Sequence, residues 1–288
     1  ITSLSVANIT PVSIAAGKSL SGAITVTAGS LKLSEAGTIA STISMSGGVL
    51  DADESLTVSG ALTQSGDIVI DVADNKTLTY SGAAISLGAN TLTLIGGGTL
   101  SNTNAFVLNN ANSKLLLNSI TVDSVSTTID NSLGVDVDNN STITSLSVAN
   151  ITPVSIASGK SLSGAITVTA GSLKLTEAGT LASSVLMSGG TLDADNSLTV
   201  SGALTQSGAI TIDVADNKTL TYSGAPISLG ANTLTLSGGG SLVSGGLTLN
   251  NASSKLLLNS ITLDNVSTSA NSLGIDVDNN STITSLSV

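Results

Sequence analysis

The sequence has no cysteine, histidine, arginine or tryptophan, and only one phenylalanine and two tyrosines in 288 residues. Without cysteine there is no disulfide framework, and the redox compartment stays open. Without histidine or cysteine no Ser-His-Asp or Cys-His arrangement can form, and zinc and haem lose their usual ligands. With aromatics at 1%, a core must be built from Leu, Ile, Val and Ala, which suit thin regular stacks. Charged residues are 9%, and the net charge of −11 leaves no basic patch for nucleic acid. The same field opposes binding to anionic membranes. No apolar run approaches the roughly 18 residues that suggest a membrane span. At 41% apolar, the chain nevertheless has too much hydrophobic content for a disordered one.

What is present is repetition. Residues 1–22 return at 143–164 with one change, Ala16 to Ser158, and ITSLSV returns again at 283–288. The chain therefore divides into a first long repeat at 1–142, a second at 143–282, and the start of a third at 283–288. No polar or proline-containing linker separates Thr142 from Ile143, so the expectation is one continuous array. The truncated third copy and the absence of an initial Met suggest a window cut from a longer protein, so a missing signal peptide carries little weight.

Apolar residues alternate with Thr, Ser or Asp over short runs, as in Leu56-Thr-Val58, Ile68-Val-Ile70-Asp-Val72, Leu92-Thr-Leu94 and Val135-Asp-Val137. Period two between Gly, Asn and Asp turn formers is the pattern of half-buried strands, and the β-branched content disfavours helix. A smaller rhythm brings the motif at Leu56 back at Leu78 and that at Leu92 back at Leu115. The step from Leu78 to Leu92 is much shorter, so turns are expected to vary in length. The fold class is all-β, a parallel β-helix (β-solenoid) with about 20–23 residues per coil and six or seven coils per repeat. It is taken as right-handed, because the hexapeptide rhythm of left-handed forms is absent. A tandem β-sandwich is the rival.

Runs such as Ser-Leu-Thr-Val-Ser-Gly, Asn-Lys-Thr-Leu-Thr-Tyr-Ser-Gly and Asn-Thr-Leu-Thr-Leu-x-Gly-Gly-Gly resemble repetitive bacterial surface proteins. These are the filamentous haemagglutinin-like adhesins and autotransporter passengers. The resemblance covers the whole chain and is compositional. It implies a right-handed β-helix, secretion to the cell surface, and a role as stalk, adhesin or fibre, and it brings no defined binding residues. The chain is expected not to be an enzyme and to need no cofactor. Its expected partner is itself, by end-to-end continuation or lateral bundling, with cell-surface or glycan contact as a further role. Neither end shows a recognisable cap, so the chain should continue in both directions or stack on other molecules.

Several motifs need weighing. Gly17-Lys18-Ser19 and Gly159-Lys160-Ser161 look like the end of a phosphate-binding loop, but Val12 and Val154 stand where its first glycine belongs. They read as turns with a solvated lysine. Gly96-Gly97-Gly98 and its copy at 238–240 read as tight corners. Asp51 and Asp53, repeated as Asp193 and Asp195, sit in a stretch similar to a calcium-binding nonapeptide, but Leu50 and Leu192 replace its second glycine turn. With the Asp136-Val-Asp-Asn-Asn140 turn they are calcium candidates. The favoured reading is that Asp and Asn close turns or stack from coil to coil. Asn8, Asn75 and Asn140 fit the glycosylation sequon, a weak signal in so Ser/Thr-rich a chain. Thr25/Thr27, Thr77/Thr79 and Thr91/Thr93 would make a hydroxyl array of the ice-binding kind only if they shared a face, and their uneven spacing argues against that. A lateral binding face for glycan, Ca²⁺ or ice is the alternative function.

Overall fold

The structure, a computed structural model, describes residues 2–288. Among the described residues every strand pair is parallel and no helix occurs. The chain forms two compact units, Ile1–Ser145 and Leu146–Val288, each of which is a β-solenoid. The boundary falls just beyond the repeat boundary read from the sequence.

In the first unit each coil lays short strands on three faces, and Thr121–Thr127 runs on from the third face of one coil to the first face of the next. The first coil supplies Ser3–Val6, Ile9–Val12 and Ser19–Leu20, and the next supplies Ala23–Val26, Ser30–Leu33 and Thr38–Ile39. The order first face, second face, third face then recurs. The second face runs unbroken through Ile9–Val12, Ser30–Leu33, Val49–Ala52, Ile68–Val72, Thr91–Ile95, Lys114–Asn118 and Gly134–Val137, which makes seven coils. The second unit places Ile151–Ile156, Ser172–Leu175, Thr191–Ala194, Ile210–Val214, Thr233–Ser237, Lys255–Asn259 and Gly274–Val277 in the same way.

Alternation does what the sequence implies. On the second face Leu31, Leu50, Ile70, Leu94, Leu117 and Val137 stand one above another in register, and all are at most 1% exposed. Parallel strands lie about 4.8 Å apart, so each inward side chain touches its equivalent in the coils above and below. Coil length varies along this face, the step from Ser30 to its partner Val49 being the shortest and that from Ile68 to Leu92 the longest. The short interval from Leu78 to Leu92 has a simple cause. Leu78 lies on the third face of one coil and Leu92 on the second face of the next, with the first-face strand Ile85–Ser86 between them, so the interval is part of a turn and not a short coil. Leu56 and Leu78 are register partners, one full coil apart.

One face is not continuous. The first-face sheet of the first unit contains Ser3–Val6, Ala23–Val26, Thr42–Met45 and Leu62–Gln64 and then stops. Among the described residues no strand pairing joins Leu62–Gln64 to Ile85–Ser86, although those coils stay paired on the second face (Ile68 to Leu92) and on the third (Leu78 to Leu100). In the second unit Leu204–Gln206 and Ile227–Ser228 are likewise not paired with each other, while the other two faces pair through Ile210 with Leu234 and Leu220 with Leu242.

Candidate functional site

Outward residues on the second face form a polar rank. Pro11, Lys32, Asp51, Asp71 and Ile95 are successive register partners. Lys32 Nζ lies 3.3 Å from Asp51 Oδ2 and 2.7 Å from Asp53 Oδ2. In the second copy Lys174 Nζ lies 3.5 Å from Asp193 and 2.8 Å from Asp195. Asp51 and Asp193 are thus strand residues facing outward, and not the turn formers the sequence suggested. Their alternative, coil-to-coil stacking, is what occurs. Asp53 and Asp195 follow the strand ends and complete the ion pairs.

The stacked carboxylates perturb one another. Burial, with the Asp51 and Asp53 charges, pushes the Asp71 carboxyl up against the pull of Lys32. Burial also pushes up Asp193, opposed by Lys174 and reinforced by Asp195 and Asp213. Hydrogen bonds to Asp53 and Asp51 raise Lys32, and that to Asp195 raises Lys174. Further along, Lys76 pairs with Glu54 at 2.6 Å, Lys114 with Asp136 at 2.6 Å and Lys255 with Asp276 at 3.3 Å. Each of these lysines therefore meets acids of an adjacent coil. Among the described residues no group of three or more acidic side chains is arranged to hold a metal ion.

Asp136 is a residue of the strand Gly134–Val137 and not of a turn, and the asparagine after the strand stacks: Asn139 Nδ2 donates to Asn118 Oδ1 at 2.7 Å, and Asn279 to Asn259 at 2.6 Å. At Gly17-Lys18 the chain makes a turn in which Lys18 N donates to Ala15 O at 2.9 Å, repeated by Lys160 and Ala157. A strand and not a helix follows each turn, so no helix N-terminus presents free N–H groups to a phosphate. The Gly96–Gly98 run is a corner, with Gly98 N donating to Val72 O at 3.0 Å.

The three threonine pairs lie on three different faces: Thr25 on the first, Thr77 and Thr79 on the third, Thr91 and Thr93 on the second. They do not align with one another. The third face nonetheless builds its own hydroxyl rank, in which Thr38, Thr57, Thr79 and Ser101 are successive register partners, with Thr77, Thr99 and Thr121 in a second rank beside it.

Residues not singled out from the sequence bridge the first-face gap. The Tyr80 hydroxyl accepts from Leu62 N at 3.1 Å and donates to Ala83 O at 2.7 Å, and Gln64 Nε2 donates to Leu87 O at 3.0 Å. Tyr222 accepts from Leu204 N at 3.0 Å, and Gln206 donates to Leu229 O at 2.8 Å. Burial pushes the Tyr80 phenol up. The signal for these residues was a Gln or Tyr at the inward step of an otherwise aliphatic alternation, Leu62-Thr-Gln64 and Leu78-Thr-Tyr80, kept in both copies.

No protein-family model matches the chain, and neither a curated protein nor a solved structure matches it.

Proposed function

We propose that the chain is a structural segment of an extracellular filament or adhesin stalk of the bacterial-surface kind, in which successive long repeats stack as a rigid β-solenoid rod. The supporting observation is that both copies build the same stack. Leu31, Leu50, Ile70, Leu94 and Leu117 are successive inward register partners in the first unit, and so are Leu173, Leu192, Ile212, Leu236 and Leu258 in the second. All ten are buried. A stack whose every level offers the same parallel strands and the same aliphatic rank is extended by adding further copies, since an uncovered strand edge is a template for pairing. On this reading the partner is the repeat itself, the mechanism is mechanical, and the chain performs no catalysis. The lysine–aspartate and asparagine ranks serve the coil stack.

Electron microscopy of the native material tests this. Thin smooth filaments with an axial repeat of about 34 Å, seven coils at about 4.8 Å, are expected. Discrete globular particles that never extend into filaments would overturn it. A second reading, a lateral binding face, draws on the paired hydroxyl ranks of the third face. It predicts ice shaping or glycan retention that is lost when Thr57 and Thr79 are changed to Lys.

A further inference from the structure

We propose that each repeat carries a one-sided seam, on the first face between Leu62–Gln64 and Ile85–Ser86 and again between Leu204–Gln206 and Ile227–Ser228, at which the solenoid flexes while its other two faces stay paired. It limits the rigidity of the proposed rod to the two paired faces, and it holds whether or not the repeats form a filament.

The argument starts from the ladder. At an ordinary first-face junction, backbone bonds hold the coils together, as Ile43 N does to Ala61 O at 2.8 Å and Val185 N to Ala203 O at 2.7 Å. At the seam that ladder is missing, and side chains replace it. The Leu62 and Leu204 amides donate to the hydroxyls of Tyr80 and Tyr222, and the Gln64 and Gln206 amide groups reach across to Leu87 O and Leu229 O. A side chain turning about its own torsions is a softer link than a peptide fixed in a sheet. The bridge is also incompletely satisfied: Gln64 Oε1 and Gln206 Oε1 are buried without a hydrogen-bond partner, which disfavours the closed arrangement. The longest coil step on the second face, from Ile68 to Leu92 and from Ile210 to Leu234, lies at the same level. Held on two faces and released on the third, the coils can part on one side without breaking the stack. Local opening is expected where backbone hydrogen bonds are fewest. The feature occurs in both copies at equivalent positions, so it belongs to the repeat and not to one accident of sequence.

Native-state hydrogen exchange on the full chain, followed by NMR, tests it. The Leu62 and Leu204 amides should exchange at least about tenfold faster than those of Ile43 and Val185, one junction away on the same face. Tyr80→Phe with Tyr222→Phe should speed Leu62 and Leu204 by about another tenfold and leave Ile43 and Val185 unchanged. Gln64→Met with Gln206→Met, which keeps the inward volume, should do the same to a smaller degree. Equal protection of Leu62 and Ile43 in the unaltered chain would overturn the seam. So would tyrosine or glutamine variants that accelerate both junctions alike. If the tyrosine variant does not fold, the unaltered chain and the glutamine variant decide the matter.

Discussion

The two copies differ according to the side of the sheet. Outward on the second face, Val49, Val69 and Ile95 of the first copy become Thr191, Thr211 and Ser237 in the second. Inward on the same strands, Leu50, Ile70 and Leu94 return unchanged as Leu192, Ile212 and Leu236. Where inward residues do change, as in Ile39/Leu181, Ile43/Val185 and Val122/Leu263, they stay aliphatic and buried. An inward side chain is clamped by its equivalents in adjacent coils, and its size is therefore constrained in a close-packed interior. An outward one meets water on its free side and tolerates exchange. The exception is instructive. Buried Asn102 donates to Asn104 O and Ser124 O and accepts from Asp123 N and Ser124 N. The second copy has Ser244 there, and the Asp264 carboxylate instead accepts from Ser244 N and its hydroxyl. The corner is closed in both copies by different residues.

The sharpest way to break this contrast is to change one residue on each side of the same strand pair. Leu94→Ala, which hollows the rank between Ile70 and Leu117, should cost about 2–5 kcal/mol. Val69→Thr, the change the second copy already carries, should stay within about 0.5 kcal/mol. Urea unfolding of both variants compares them directly, and similar losses would mean that inward and outward ranks are not distinct.

A corner can be probed next. Gly96 has φ of 111° and Gly238 of 109°, a region L-residues rarely occupy. An added Cβ would also collide with the carbonyl oxygen of Val72 or Val214. Gly96→Ala should therefore cost about 1–3 kcal/mol, with Gly238→Ala matching it. A neutral result in thermal unfolding would show that the corner relaxes and that the glycine run is not required by geometry.

Much of this architecture was legible in the sequence, because strand alternation and coil length are both periodic. Leu56 over Leu78 and Leu92 over Leu115 stand out as recurring intervals along the chain, and both pairs are register partners. Faces were not legible, since a corner leaves no periodic trace, and so the interval from Leu78 to Leu92 read as irregularity. Ion pairing was hidden for a related reason. Lys32 and Asp51 are far apart in the chain, and only the register shows that they adjoin. The seam was harder still, because a missing ladder is a property of backbone placement and its only sign was Gln64 and Tyr80 in aliphatic positions.

The smallest effect separates two levels of the polar rank, the carboxylate beside the lysine and the one a coil further on. The Asp71 carboxyl is raised above its ordinary 3.8 by burial and then by the like charges of Asp51 and Asp53, whereas for Asp193 the strongest influence after burial is the opposing Lys174. A raised carboxyl disfavours the charged form in the folded state. Its stability contribution is therefore full below the unfolded value and is lost as pH rises through the folded one. Acidification from about pH 6 to about pH 4 should consequently relieve this rank slightly, the groups being partly exposed. Salt distinguishes the two sites. At about 1 M the screening length falls to about 3 Å, which weakens repulsion at Asp71 and attraction at Asp193. Carboxyl-carbon NMR titrations should show the Asp71 midpoint moving down with salt and the Asp193 midpoint holding or moving up. Midpoints that shift in the same direction by the same amount would mean that burial alone governs both, and that standing beside the lysine or a coil away from it has no energetic consequence.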